Sequence, residues 1–349
     1  MNLFRPQLGL LSLIFTALLC LQPLPQALAA APLAADLVQD NQPIDFLQQK
    51  FTDFFVELQN KHLFTAAELR GIFTGLTIDR RVLVLMDKQW EAKPYYQYAP
   101  LFITEGIIRT GRAKLAEHRQ LLDRIEQQLG VDREVIVAIW GVETRYGSNQ
   151  GSYNVLRTLT TLFDAYPRRA QFFRGELIHF LLLCRENGMD PRQINGSYAG
   201  AFGQTQFIPS SFRKYAISFD GDQKKDVWHS VPDVLASIAN YLKHFGWTLH
   251  APLYAELGTR LNSPQLLQAE QAGRRGRVPA QIVEQAQKLR LSPVPGGKPL
   301  SIVGLEQPPT AAAEKRYVAG YPNFQAITQW NHSNRYAMAV AELAEALAQ

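Results

Sequence analysis

The chain has 349 residues, 46% of them hydrophobic, and carries 36 Lys and Arg against 31 Asp and Glu, a formal net charge of +5. This length and composition are typical of a globular protein with one or two domains and exclude a disordered chain. The basic surplus is mild and would suit an acidic polymer as ligand. No dense run of Lys and Arg with interleaved aromatic residues occurs, so nucleic acid is not favoured as a partner.

The N-terminal residues 1–29 predict a secretory signal peptide. Arg5 supplies a positive start, residues 8–21 are apolar, and Ala27-Leu-Ala29 offers a cleavage site of the small-x-small type. The apolar run is short for a retained membrane anchor. A lipoprotein would need a small residue before Cys20, and Leu19 stands there instead. We therefore expect cleavage after Ala29 and a soluble, exported, periplasmic protein.

Loss of this segment leaves Cys184 as the single cysteine, so no internal disulfide is predicted. Cys184 follows three leucines, a setting that is typical of a buried and unreactive thiol.

Residues 30–44 contain Ala, Gln and Pro and predict a linker. From residue 45 onward, apolar residues recur at helical spacing. Capping residues or a proline in the first turn mark the start of each predicted helix. The predicted helices are 45–59, one opened by the Thr65–Glu68 capping box, 104–128 with Gly130 as its stop, one from Asp132 through Glu143, 167–186, those starting at Pro209, Pro232 and Ser263-Pro264, and 334–348.

Two short stretches late in the chain interrupt the helical pattern. Leu300–Leu305 and Arg316–Gly320 lie near turn residues and predict strands. The predicted fold class is therefore mainly α (α+β), with a small β element.

Glu143 is the most informative residue of the sequence. It stands at the far end of the apolar helix that begins near Val135, shortly before Gly147. Apolar neighbours and the negative end of the helix dipole both disfavour a charged carboxyl and raise its pKa. A carboxylic acid that stays neutral near pH 7 can protonate a leaving oxygen, which points to cleavage of a glycosidic bond. The alternative is an ordinary solvated glutamate at a helix end.

A glycine-rich segment over 195–211 follows, with the sequence NGSYAGAFGQTQFIPSS. Glycines allow backbone groups to approach a ligand closely. Ser and Gln side chains can bind sugar hydroxyl and acetamido groups, and aromatic faces can stack on sugar rings. The alternative is an ordinary loop between helices. Signatures of serine hydrolases, zinc peptidases and nucleotide-binding proteins do not occur.

Together these motifs resemble those of bacterial lytic murein transglycosylases of the B type. The similar segments, in chain order, are 141–147, 166–170, 196–203, 206–211, 226–228, 238–242, 246–247 and 321–340. The resemblance implies that residues 45–349 form the catalytic region. A lysozyme-like core would span about 130–250 and 320–349, with additional helices and a small β-containing part at about 251–319.

The resemblance also implies the reaction. The substrate would be the peptidoglycan glycan, cut at the β-1,4 bond between N-acetylmuramic acid and N-acetylglucosamine to leave a 1,6-anhydromuramoyl end. Peptidoglycan strands would be the main partner, cell-wall synthesis proteins are further candidates, and we expect a monomer.

The same resemblance assigns site residues. Glu143 falls on the single catalytic acid/base, and Ser197 is expected near the N-acetyl group. Arg168 and Arg169 are expected near peptide or glycan carboxylates. The other expected substrate contacts are Gln206, Tyr241, Asn331, Tyr336 and Tyr98.

The loop 218–229 departs from a calcium-binding EF-hand that family members can carry. An EF-hand needs an acid first, a glycine sixth and a bidentate carboxylate twelfth, where this loop has Ser218, Gln223 and His229. The remaining calcium candidates are Asp220, Asp222 and Asp226, with two lysines among them. We expect no required cofactor and a loop held by hydrogen bonds, with calcium as the alternative.

The motifs supply one carboxylate, whereas most glycosidases use two. Asp164, Glu176 and Asp190 are near in sequence but lie in no motif that resembles a catalytic one. One acid suffices if the substrate provides its own nucleophile. The alternatives are a muramidase that adds water and a catalytically silent peptidoglycan-binding protein.

Overall fold

The computed structural model describes residues 33–87 and 93–349, so the predicted signal peptide lies outside the described residues. Within these two ranges, no helix combines the length and the apolar character that crossing a membrane requires.

Helices make up most of the described chain. They are α1 (Gln49–His62), α2 (Ala66–Phe73), α3 (Arg80–Asp87), α4 (Tyr95–Tyr98), α5 (Glu105–Glu117), α6 (Arg119–Leu129), α7 (Arg133–Thr144), α8 (Val155–Ala165), α9 (Ala170–Glu186), α10 (Pro209–Tyr215), α11 (Val231–His244), α12 (Pro264–Gln271), α13 (Ala280–Gln287), α14 (Pro322–Trp330) and α15 (Asn334–Ala348). The prediction of a mainly helical fold is confirmed.

The strands form two small antiparallel sheets. They are β1 (Tyr153–Asn154), β2 (Asn195–Gly196), β3 (Tyr254–Gly258), β4 (Ser301–Glu306) and β5 (Lys315–Gly320). β1 pairs with β2, and the second sheet has the order β3-β5-β4, with Val303 opposite Val318. The two predicted strands are confirmed as β4 and β5, whereas β1, β2 and β3 were not predicted.

Helix α7 lies at the centre of the main hydrophobic core. Its residues from Val135 to Val142 are buried all round, which is typical of a helix enclosed by others. Helices α5, α6, α11 and α15 pack against it. The Tyr146 ring packs directly against the backbone of α7 at Gly141. A Cβ added at this glycine would lie only 2.7 Å from the ring. The core therefore fixes the position of the helix that carries Glu143.

A second, smaller hydrophobic cluster joins the three-stranded sheet to α12 and α13. Its fully buried members include Leu266, Val283 and Ile302. The cluster lies within residues 257–321. The predicted domain boundaries themselves stay a prediction.

Several local sequence signals act as predicted. Thr65 and Glu68 form the capping box of α2, and Thr104 caps α5 through the Ile107 N–H. Gly130 ends α6 in the left-handed conformation. Cys184 is buried, and burial raises the pKa of its thiol to about 12, so the thiol stays protonated and unreactive.

Residues 33–44 of the predicted linker contact the folded body. Ala34 and Ala35 are buried in a short 3-10 helix. The Arg80 Nε–H donates to the Ala35 carbonyl (2.7 Å), and the Ile78 N–H donates to Gln42 (2.9 Å). This stretch is part of the folded body because its apolar residues are buried there and its backbone carbonyls accept hydrogen bonds from the rest of the fold.

Two helix predictions are also corrected. The single helix predicted over 104–128 is divided at His118, whose ψ of 21° departs from helical geometry. Asp132 does not cap α7. Its carboxylate instead accepts hydrogen bonds from the Trp247 indole (2.8 Å) and the His250 N–H (3.0 Å), both distant in sequence.

Candidate active site

Glu143 lies in the last turn of α7, directly before an unusual backbone turn. Arg145 and Tyr146 have φ values of 50° and 60°, and Gly147 follows at 87°. The left-handed region is unfavourable for residues with a Cβ, so the surrounding structure must hold this turn in place. The Gly147 N–H donates to the Thr144 hydroxyl (3.0 Å), which is one part of that support.

The buried side chain of Gln204 supplies the larger part of the support. Its Oε1 accepts from the Trp140 indole (2.9 Å) and its Nε2 donates to the Trp228 carbonyl (2.9 Å). Its backbone carbonyl accepts from the Thr144 hydroxyl (3.1 Å), and its N–H donates to Val227 (2.7 Å). Gln204 therefore ties the end of α7 to the glycine-rich segment and to the loop before α11.

The Glu143 carboxyl is half-buried and hydrogen-bonded by two aromatic residues. The Tyr336 hydroxyl donates to its Oε1 at 2.6 Å, and the Trp330 side chain is a second partner. Burial raises the pKa of Glu143 to about 7, and both hydrogen bonds oppose that rise because they favour the charged form. The carboxyl can thus hold or release a proton near neutral pH.

Glu143 faces a groove of about 830 Å³. The groove is bounded by the glycine-rich segment, the start of α10, one face of α11 and the end of α14. Among the described residues that line it, Glu143 is the only carboxylate.

The other candidate carboxylates are engaged elsewhere. Asp164 forms an ion pair with Lys50 (2.5 Å), and Glu176 accepts from the Ser210 hydroxyl (2.7 Å) and N–H (2.9 Å). Asp190 accepts from the backbone of its own turn. None of these three carboxylates lines the groove of the described chain.

Ser197 and Gln206 both line the groove, as predicted. The Ser197 Oγ accepts from the Ala201 N–H (3.1 Å), which leaves its hydroxyl hydrogen to donate to a ligand. Gln206 donates its Nε2–H groups to the carbonyls of Gln150 (3.1 Å) and Gly203 (2.9 Å). Its Oε1 makes no hydrogen bond within the described residues, so this atom is free to accept one.

Three aromatic rings that contact one another also line the groove. The Trp330 ring lies 4.7 Å from Tyr241 and 5.0 Å from Phe207, measured between ring centroids. The Tyr241 hydroxyl donates to the Gln329 carbonyl (2.6 Å), which fixes that ring. Asn331 lines the groove after the end of α14, and within the described chain its side-chain amide has no hydrogen-bond partner.

Of the three remaining predicted substrate contacts, only Arg169 lines the groove. Arg169 lines the groove with its guanidinium 4.2 Å from the centroid of the Phe172 ring. Arg168 is exposed and lies outside the lining. Tyr98 is buried and lies close enough to Tyr336 to contribute to the raised pKa of that phenol. Neither Arg168 nor Tyr98 faces the groove in this structure.

Several lining residues were not predicted as site residues, namely Phe172, Phe207, Lys214, Tyr215, Phe245 and His332. Aromatic residues at helical spacing are typical of a core, so sequence alone does not separate a groove wall from a core face. The position of Phe207, directly after Gln206 in the glycine-rich segment, was the one available signal.

The loop 218–229 is held by its own hydrogen bonds. Its three candidate carboxylates accept bonds from their own surroundings: Asp220 from the Ser230 hydroxyl (2.7 Å), Asp222 from the Lys224 N–H (2.8 Å) and Asp226 from the Trp228 N–H (2.8 Å). The buried Asp233 accepts from the N–H groups of Phe219 and Asp226. Over residues 33–87 and 93–349, no three His, Cys, Asp or Glu side chains converge on a metal position.

Comparison with known proteins agrees with this geometry. Residues 47–345 match the family described as the transglycosylase SLT domain. The chain is 36% identical over 324 residues to membrane-bound lytic murein transglycosylase B of Escherichia coli K12, a match that covers 86% of this chain and 82% of the relative.

Two solved structures from Pseudomonas aeruginosa are similar along most of the chain. Soluble lytic transglycosylase SltB1 has a TM-score of 0.76 at 34% identity, over 86% of this chain and 98% of SltB1. SltB3, solved in complex with NAG-anhNAM-pentapeptide, has a TM-score of 0.71 at 31% identity, over 87% of this chain and 80% of SltB3. With a family match over most of its length and relatives above 30% identity, the chain belongs to the transglycosylase SLT domain family.

Proposed function

We propose that this protein is an exported lytic murein transglycosylase with Glu143 as its only acid and base. It cleaves the β-1,4 bond from N-acetylmuramic acid to N-acetylglucosamine in peptidoglycan and leaves a 1,6-anhydromuramoyl end, without a metal cofactor. The observation that carries the proposal is a single groove carboxylate whose pKa is about 7. The SltB3 complex supports it because its ligand carries an anhydro sugar and a peptide.

In the first step, neutral Glu143 donates its proton to the glycosidic oxygen as the bond from C1 to that oxygen breaks. The muramoyl acetamido group stabilises the positive charge that develops at C1, and the Ser197 hydroxyl is placed to orient that group. General acid catalysis of this kind contributes roughly 10²–10⁴-fold. The Tyr336 hydroxyl stabilises the carboxylate that remains.

In the second step, the Glu143 carboxylate accepts the proton of the muramoyl C6 hydroxyl. The C6 oxygen then bonds to C1, which closes the anhydro ring and returns Glu143 to its neutral form. A pKa of about 7 suits both steps, because the same group must lose and regain a proton at neutral pH. No water molecule is consumed.

This geometry disfavours both alternatives. An inverting muramidase needs a second carboxylate about 6.5–9.5 Å from the acid to activate water, and a retaining enzyme needs one at about 5–5.5 Å. The described groove lining offers none besides Glu143. A silent binding protein would gain nothing from a half-buried acid with a raised pKa.

The test is digestion of purified sacculi by wild-type protein and by Glu143→Gln, with product masses read by mass spectrometry. We expect anhydro products from wild type, a loss of at least about 10²-fold in Glu143→Gln, and retained binding of that variant to sacculi. The matched control is Glu314→Gln at an exposed position, which should stay fully active. Hydrated product ends, or full activity of Glu143→Gln, would refute the proposal.

A further inference from the structure

A second cavity of about 620 Å³ opens beside the active-site groove. Residues of the two linings are neighbours in the fold. Gln206 lines the groove and donates to the carbonyl of Gln150, which lines the second cavity (3.1 Å). Likewise Asn195 lines the second cavity and Ser197 lines the groove. Two residues of extended chain span about 7 Å, so the two spaces are neighbours.

The second cavity offers hydrogen-bond donors to a polar ligand. The Trp228 ring lines it and is held by stacking on Phe202, with centroids 5.2 Å apart and planes 5° from parallel. The indole Nε1–H of Trp228 is buried and has no hydrogen-bond partner within the described residues. A buried donor without a partner is unusual in folded proteins. Side-chain amides of Gln193 and Asn195 lie on the same lining.

The unpaired charge of the second cavity is positive. Lys224 and Lys225 line it, and over the described chain neither has an ion-pair partner. Of the two carboxylates on the lining, Glu186 is paired with Arg213 (2.7 Å) and Asp226 accepts backbone N–H groups. The lysines therefore favour a ligand that carries carboxylates.

We propose that this second cavity binds the peptide stem of the muramic acid residue held in the groove, with Lys224 and Lys225 contacting the stem carboxylates. The inference rests on the proposed function and adds a recognition site outside the catalytic groove. An extended peptide of five residues spans roughly 17 Å, more than twice the distance of about 7 Å between the two linings. A stem attached to a sugar beside Ser197 is thus long enough to enter the second cavity.

The test measures binding in a Glu143→Gln background, so that the ligand is not cleaved. The ligands are a purified peptidoglycan tetrasaccharide with its peptide stems and the same tetrasaccharide after an amidase has removed them. Calorimetry should show that Lys224→Glu with Lys225→Glu weakens binding of the peptide-bearing ligand roughly tenfold, because two attractive contacts become repulsive. Binding of the stripped ligand should not change.

The matched control is Lys288→Glu with Lys298→Glu, which makes the same change in net charge at exposed positions outside both linings. This control should bind both ligands as the parent does. Equal weakening on the two ligands, an equal effect of the control pair, or no effect of the Lys224 and Lys225 changes would each overturn the stem site.

Failure of the stem site can be told apart from failure of the proposed function. With Glu143 restored, the Lys224 and Lys225 double variant should cleave stripped glycan strands at the wild-type rate. If wild-type protein cleaves both strands and the variant shows no selective loss on peptide-bearing strands, the stem site alone is wrong. If wild-type protein cleaves neither, the proposed function is wrong, whatever the binding data show.

Discussion

Glu143 occupies an environment that favours its neutral form, and this has a cost in stability that depends on pH. Its pKa lies at about 7 in the folded protein, against an ordinary value of 4.5. Below pH 4.5 both states keep the proton. Between 4.5 and 7 the unfolded chain loses it first, so the folded state becomes less stable as the pH rises, by about 3 kcal/mol in total.

We therefore predict that Glu143→Gln stabilises the protein at pH 8 relative to pH 4 by about 2–3 kcal/mol, because Gln has no proton to lose. Urea unfolding of both proteins at the two pH values measures this difference. The exposed Glu314→Gln serves as control and should show little change between them. An advantage of Glu143→Gln that stays the same at both pH values would contradict the buried-acid interpretation.

The Tyr336 hydroxyl lowers the pKa of Glu143 through its hydrogen bond. Removing this hydroxyl should therefore raise the pKa of Glu143. In Tyr336→Phe the carboxylate loses a donor while burial remains, and the pKa rises further. We predict that the alkaline limb of kcat/KM moves up by about one pH unit, with a lower kcat at every pH. The pH profile of sacculus digestion measures both effects. A limb that moves down would show that the phenol does not stabilise the charged form.

Gln204 determines whether the end of helix α7 holds its left-handed turn. Gln204→Ala leaves the Trp140 indole without its acceptor and frees the Trp228 carbonyl. We predict a loss of about 1–3 kcal/mol in the free energy of unfolding and a fall in kcat of up to roughly 10²-fold, because Glu143 is no longer held in place. KM should change little, since Gln204 is absent from the groove lining.

Steady-state kinetics and denaturant unfolding test this prediction. Gln285→Ala on the exposed face of α13 is the control and should leave both quantities unchanged. If kcat in Gln204→Ala stays at the wild-type value while stability falls, Gln204 is a structural residue without a positioning role.

The loop before α11 is held by its own hydrogen bonds. We therefore predict that calcium changes neither the stability nor the activity of the protein. Asp220, Asp226 and Asp233 direct carboxylate oxygens to hydroxyl and N–H groups of the chain. Dialysis against a calcium chelator should leave both Tm and the rate of sacculus digestion unchanged, and added calcium should have no effect. A rise in Tm that depends on calcium concentration would reveal a bound ion.

The elements that the sequence predicted correctly are those with local signals. The capping box at Thr65 and the glycine stop at Gly130 act through residues three or four positions away. The break at His118 and the use of Asp132 by Trp247 are set by partners far along the chain, so helical periodicity does not report them. Strand β3 depends in the same way on its pairing with β5.

At the scale of the whole molecule, the site is assembled from distant parts of the chain. Glu143 and Tyr336 are 193 residues apart and yet share a hydrogen bond. The order of motifs in the sequence predicted which segments meet, but not which residues face the groove. Tyr98 is buried near Tyr336, and Arg168 lies outside the lining that Arg169 joins. Those outcomes depend on how packed helices rotate, which local sequence does not determine.

We expect the C-terminal helix α15 to be required for both folding and activity. It packs along α7 and buries Met338, Val340 and Leu343, among others. Each such side chain contributes about 1.5–3 kcal/mol when fully buried, so a few of them approach the net stability of about 5–15 kcal/mol that is usual for a whole protein. We predict that deletion of residues 334–349 abolishes cooperative thermal unfolding as well as activity.

The control for this deletion is a four-residue Gly-Ser insertion after Ala312, an exposed position in the connection between β4 and β5. Such a loop insertion costs little, because the entropy of loop closure grows slowly with length. The insertion variant should keep a cooperative transition and wild-type digestion of sacculi. Near-ultraviolet circular dichroism followed during heating distinguishes the two proteins. A cooperative transition in the truncated chain would mean that α7 and its neighbours form a stable core without α15, and that the loss of Tyr336 alone explains any loss of activity.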